Sequence, residues 1–131
     1  MRLLLVEDDP KISHFLLKGL REDQHVVELV ENGTDAESRA ATEEYDAILL
    51  DTDNGPEGLT QARNNRLYFH RGLRSAYDAL RPGGVLAVWS THPHDPFTRR
   101  LGMAGFRVEE KKVFAHRDKG TKHHLWFAMK P

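Results

Sequence analysis

Three short runs of apolar residues constrain this chain more than anything else in it: Leu3 to Val6, the "DAILLD" stretch ending at Asp51, and "VLAVWS" ending at Ser90. A strand with one wet face alternates apolar with polar residues. A run without alternation needs apolar neighbours on both faces, the condition met by parallel strands sandwiched between helices. Segments with helical spacing separate the runs, so strand and helix alternate along the chain and predict an α/β fold. A length of 131 residues leaves room for one such domain and not two, and 1–131 is read as a single domain.

The punctuation supports this order. Asp9 before Pro10 supplies an N-cap and a proline at the first helical position, and Ile12, Phe15, Leu16 and Leu20 follow at helical spacing to about Asp23. "HVVELVEN" reads as a second strand and "GTDAESRAATEE" as a helix capped by Thr34 or Asp35. After an Asn54-Gly55-Pro56 turn, a helix from about Asn65 to Leu80 shows Phe69, Leu73, Ala76, Tyr77 and Leu80 on one face, and "RPGG" stops it. Asp95 and Pro96 repeat the cap-plus-proline signal, Phe97, Leu101 and Ala104 make an apolar stripe, and Gly105 closes the helix. "FRVEEKKVFAHRD" and "KHHLWFAMK", joined through "KGT", mix polar with apolar residues and predict an antiparallel hairpin. The sum is a doubly wound three-layer sandwich: a parallel sheet with a C-terminal antiparallel β-hairpin on one edge. There are no repeats and no low-complexity tracts.

The chain has no cysteine, which removes disulfides, zinc thiolate sites and thiol nucleophiles. "MRLLLVEDDP" puts acids directly after a short apolar run, so it is neither a signal peptide nor a membrane span. The net charge of −1 hides a step: residues 1–51 carry five Lys/Arg against thirteen Asp/Glu (−8), and residues 52–131 carry fourteen against seven (+7). The basic residues are scattered and not interleaved with aromatics, which argues against a nucleic-acid surface. A soluble cytoplasmic monomer is expected, with no membrane, nucleic acid or defined protein partner.

The stretch from "MRLLLVEDDPK" to "YDAILLD" resembles the first half of a bacterial response-regulator receiver domain, of the kind joined to winged-helix DNA-binding domains. Both the "LLVEDD" and the "YDAILLD" strand ends stand at that family's separation. The resemblance implies that Glu7 and Asp8 are the acidic pair that binds magnesium and that Asp51 is the phosphoacceptor. The physics agrees, because open α/β sheets bind ligands beyond the carboxyl ends of strands where strand order reverses. Carboxylates crowded there repel one another unless a hard cation sits among them.

The match stops after Asp51. From about residue 46 to 130 the chain is similar instead to the C-terminal half of methyltransferase-like proteins related to spermidine synthases, through "DNGPEGL", "RLYFHRGL", "LRPGGVLAVWS" and "HHLWFA". In spermidine synthases the aspartate at this strand end contributes to the amine-transfer site, so Asp51 ends a strand in both families and the two resemblances share residues 45–51. The reading is a hybrid of flavodoxin-like and Rossmann-like parts, 1–51 receiver-like and 52–131 methyltransferase-like. Design or laboratory recombination would make such a chimera; divergence of a natural protein is the competing account.

Little chemistry is expected to survive the join, and the chain is read as no enzyme. The Gly-rich turn that would cradle S-adenosylmethionine is replaced by "VEDDPK", so no methyl or aminopropyl transfer is expected. On the receiver side Asp51 remains as a vestigial phosphoacceptor, with Ser90, or Thr91 one register step away, as its phosphate-binding hydroxyl. Glu7, Asp8 and Asp51 form the metal set, with weak magnesium binding and no required cofactor. Lys130-Pro131 imitates the receiver's terminal Lys-Pro, but an antiparallel last strand puts Lys130 at the far end of the sheet from Asp51. His92, His94, His123 and His124 read as surface residues, the last two on opposite faces of their strand. Trp89 and Trp126 read as core or sheet-face residues.

Overall fold

The structure is a computed structural model that describes residues 1–51, 68–90, 93–116 and 119–131, with the backbone alone at 114–116 and 119–122. Six strands form one sheet: β1 (Arg2–Glu7), β2 (Val26–Val30), β3 (Tyr45–Asp51), β4 (Leu80–Ser90), β5 (Arg107–His116) and β6 (Lys119–Met129). Among the described residues there are four helices, α1 (Pro10–Glu22), α2 (Gly33–Thr42), α3 (His70–Ala79) and α4 (Asp95–Met103). The strand order is β2-β1-β3-β4-β6-β5. β1 pairs in parallel with β2 and β3, and β3 with β4, while β6 runs antiparallel to both β4 and β5. β6 alone runs against the other strands, and the expected hairpin is present with its second strand inserted between β4 and β5.

The buried runs land where their lack of alternation requires. Leu4, Val6, Ile48, Leu50, Leu86 and Val88 face α2, α3 and α4, packing with Ala36, Leu73, Phe97 and Leu101. Leu3, Leu5, Val27 and Ala47 face the other way, onto Leu16, Leu17 and Leu20 of α1. Each such side chain taken out of water contributes about 1.5–3 kcal/mol, which is why the apolar runs decide the fold. Trp126 is 0% exposed and anchors the second segment. It meets the Phe97 ring edge-on at 5.1 Å and donates its indole N–H to Thr98 Oγ1 at 2.9 Å.

Several local expectations shift. Asp9 does cap α1, its Oδ1 accepting from the Lys11 and Ile12 amides at 2.8 and 3.3 Å, but the buried stripe is rotated: Phe15 is 76% exposed and Ser13 is buried. The cap of α2 is Asn32, whose Oδ1 accepts from the Asp35 amide at 2.9 Å, in place of Thr34 or Asp35. Asp95 lies inside the first turn of α4, and His94 takes the cap position without a side-chain bond. The helix expected from about residue 65 is described from His70, and residues 65–67 and the Asn54-Gly55-Pro56 turn lie outside the described residues. Lys119 to Thr121 belong to β6 and not to the connection.

The "RPGG" stretch ends α3 but already belongs to β4. Gly83 has φ +85° and donates its amide to Lys130 O at 2.7 Å, and a Cβ at Gly84 would stand 2.8 Å from Arg81 O. A side chain at Gly83 would meet open space but strain the positive-φ backbone, whereas at Gly84 it would force neighbouring backbone to shift.

At the opposite end of the sheet from the acidic strand ends, β1, β2, β3 and β4 are tied by charge. Tyr45 donates its hydroxyl to Glu28 Oε2 at 2.6 Å, and Arg2 bridges Glu28 and Glu43. Asp46 accepts from the Arg2 amide at 2.7 Å and from Arg81 Nη1 at 3.0 Å. The Tyr45 hydroxyl, then Arg2, holds the Glu28 carboxyl below the usual range. The Arg2 amide and then the Arg81 side chain do the same for Asp46. Depressed carboxyls lend stability that is fully present above their unfolded value, about 4.3 for Glu, and is lost as pH falls through the folded value. The melting temperature is therefore expected to drop between neutral pH and pH ~3, and less steeply in Glu28→Gln; equal slopes in a thermal scan of the two proteins would contradict this.

Candidate functional site

The topological reversal lies at β1 and β3, since the chain moves outward from β1 to β2 and then crosses back to β3. In such sheets the crevice beyond the carboxyl ends of those strands is the natural binding position. Glu7 and Asp51 are register partners there. Both lie on the α1 face of the sheet, because they continue the Leu3-Leu5 and Ala47-Leu49 parities. Glu7 is 1% exposed, and its Oε1 accepts from the Asp9 amide at 2.9 Å, so this carboxylate is folded back onto its own loop. Asp8 occupies the loop between β1 and α1, and Asp51 is partly buried at the end of β3.

The sequence expectation made Glu7, Asp8 and Asp51 one magnesium set. The structure brings Glu7 and Asp51 side by side, yet among the described residues no three His, Cys, Asp or Glu side chains converge in a way that could hold a metal ion. Ser90 ends β4 as expected but belongs to the opposite face of the sheet, with Leu86 and Val88, and its register partner is His124. Thr91, the one-step alternative, lies outside the described residues, as does His92.

Lys130 stands at the far end of the sheet. Its amide donates to Gly84 O at 2.9 Å, and its ammonium donates to Leu80 O at 2.7 Å beside the Tyr77 ring. Both partners belong to the start of β4, whereas Asp51 ends β3, and antiparallel β6 leaves no other place for its last residues.

The surface reading of His124 does not hold. It is 9% exposed, its Nε2 lies 2.8 Å from Glu110 Oε1, and its ring packs on Trp126 at 4.6 Å. Thr98 donates to the same Glu110 oxygen at 3.1 Å, so Trp126, Thr98, Glu110 and His124 form one polar string from three elements. The signal available in the sequence was the alternation His124-Trp126-Ala128, which puts His124 on the face of the two buried apolar residues. Arg100 was also missed: its Nε donates to Tyr68 O at 2.8 Å and its guanidinium covers the Phe69 ring, and burial lowers its pKa. Among the described residues no helix is long and apolar enough to cross a membrane.

No protein-family model matches the chain. Its N-terminal segment matches response regulators: over 51 residues it is 49% identical to the transcriptional activator protein IrlR of Burkholderia pseudomallei, covering 39% of this chain and 22% of IrlR. The chain thus spans about a fifth of the length of that curated relative. The fold as a whole is similar to human methyltransferase-like protein 13, solved in complex with SAH, with a TM-score of 0.66 at 16% identity over 100% of this chain and 72% of that one. It is also similar to spermidine synthase from Thermotoga maritima, with a TM-score of 0.63 at 18% identity over 99% of this chain and 54% of that one. At these identities the likeness is one of fold. Receiver-type sequence in the first 51 residues is thus built into a Rossmann-like, methyltransferase-like sheet.

Proposed function

We propose that this chain is a fold chimera with no physiological catalytic activity, made by design or recombination, in which a receiver segment completes a methyltransferase-like sheet. The observation that carries this reading is the break at Asp51. Sequence similarity to response regulators ends with β3, whereas the sheet continues through β4 into β6 and β5, and the fold as a whole is similar to methyltransferase-like structures. The charge step at the same position supports it.

Neither parental chemistry has its full set of groups. The fold family implies S-adenosylmethionine, but the turn after β1 is filled by the buried Glu7 carboxylate and its bond to the Asp9 amide, which does not fit a cofactor carboxylate or leave the space that glycines would. The receiver resemblance implies magnesium at Glu7, Asp8 and Asp51, and among the described residues no cluster of three such side chains converges to hold it. The terminal lysine is at the wrong end of the sheet to meet a phosphoryl group on Asp51.

A second reading, a phosphoacceptor module, is favoured by one observation, the adjacency of Glu7 and Asp51 on one face. Incubation with magnesium and acetyl phosphate followed by intact mass separates the two. An unchanged mass is expected. One added phosphoryl group that disappears in Asp51→Asn would contradict the first reading and establish the second.

A further inference from the structure

Asn32 is the one asparagine among the described residues, and a glycine follows it. That pair carries a latent reaction. The side-chain carbonyl carbon of an asparagine is open to attack by the backbone nitrogen of the next residue, and glycine, with no Cβ, offers the least steric hindrance to that approach. Here the bond from Gly33 N to Asn32 Cγ would form and the Cγ–Nδ2 bond would break, ammonia leaving with the proton of the Gly33 amide. Water then opens the cyclic imide. Cleavage at Cγ gives aspartate, and cleavage at the main-chain carbonyl gives isoaspartate, with the chain routed through the former side chain.

The fold holds the pair away from this reaction. Ring closure needs the Gly33 nitrogen to swing about the Asn32 Cα–C bond until it eclipses Cβ. Asn32 has ψ 168°, which sets that nitrogen nearly anti to its own and staggered against Cβ. Three hydrogen bonds fix the arrangement. The Asn32 carbonyl accepts from the Ala36 amide at 3.1 Å, Oδ1 accepts from the Asp35 amide at 2.9 Å, and Nδ2 donates to Asp35 Oδ2 at 3.1 Å. Turning ψ breaks the first, and moving Cγ toward Gly33 breaks the other two. Gly33 and Ala36 are buried behind them, Ala36 within the larger core cluster. Attack is therefore confined to moments when the first turn of α2 has opened, a local excursion from the native state.

We propose that Asn32 is a deamidation site gated by the start of α2, with water as the only co-reactant. The product does not restore the lock. Aspartate still caps a helix, but it has no donor for Asp35 Oδ2 and sets two carboxylates against each other. Isoaspartate adds a carbon to the main chain at the cap itself. The reaction thus leaves a covalent mark on chains that have opened there. The inference is independent of the reading of Asp51.

The test follows conversion of Asn32 to the acid by tryptic mass mapping of the full chain, incubated in mildly alkaline buffer with and without urea. Arg39 lies between Asn32 and the Asn54-Gly55 pair, so trypsin separates the two peptides. Conversion at Asn32 is expected to be at least tenfold faster in urea than in the native protein. Gly33→Ala, compared in urea where folding plays no part, should slow it at least fivefold. Asp35 is exposed, so Asp35→Ala removes the Nδ2 partner without opening the core and should speed the native reaction at least threefold while leaving the rate in urea unchanged. No product at Asn32 in urea, or indifference to Gly33→Ala, would overturn the site. Equal rates with and without urea, or a native rate indifferent to Asp35→Ala, would overturn the gate.

Discussion

Replacing Trp126 with alanine is expected to destabilise the protein by about 3–5 kcal/mol, the usual loss for a large aromatic removed from a core. Against a total stability of about 5–15 kcal/mol for a domain of this kind, that brings the chain close to unfolding. The reason is local and compound. Trp126 is fully buried, stacks edge-on with Phe97 and His124, and donates to Thr98, which in turn holds Glu110. Removing it opens a cavity under α4 and strands the Thr98, Glu110 and His124 string without its donor. Trp126→Phe retains most of the ring contacts and loses the N–H bond, so its cost should be nearer 1 kcal/mol. Urea unfolding of the three proteins measures both differences. A loss of less than about 1 kcal/mol for the alanine variant would mean that β6 is not packed against α4.

Cutting the chain after Asp51 is expected to abolish cooperative folding altogether. Leu4, Val6, Ile48 and Leu50 bury themselves against Leu73, Leu86, Val88 and Trp126, all from the second segment. A fragment of residues 1–51 would keep α1 on one face of a three-stranded sheet but only α2 on the other, leaving the part of that face packed by the second segment and the β3 edge open to water. A thermal scan by circular dichroism should show a gradual loss of signal. A sharp transition would show that the receiver-like half is an independent folding unit and that the shared sheet is incidental.

Much of this architecture was legible because it is written in short-range patterns. Continuous apolar runs need two covered faces, and that condition alone put β1, β3 and β4 inside a parallel sheet. Mixed polar and apolar character in the last two segments gave the antiparallel pair, and with it the position of Lys130. What was not legible depended on neighbours distant in sequence. Helical spacing grouped Ile12, Phe15, Leu16 and Leu20, but which side of that group meets β1 and β2 is set by helix orientation over the sheet, and Phe15 fell outside the contact. Ser90 ends the correct strand, yet the β3–β4 register puts it on the face away from Asp51. His124 looked like one of a pair of surface histidines, whereas its partners Glu110 and Thr98 come from β5 and α4. Glu7 carried the family motif, and only the folded loop shows its carboxylate turned to the Asp9 amide.

The most direct test of a single sheet joining the two segments is a nuclear Overhauser experiment on isotopically labelled protein. Amide–Hα contacts between β3 and β4 in the parallel register that pairs Ile48 with Leu86 and Leu50 with Val88, together with Lys130 side-chain contacts to Leu80 and Tyr77, are the predicted result. Contacts placing the Lys130 side chain beside Asp51 would contradict the account.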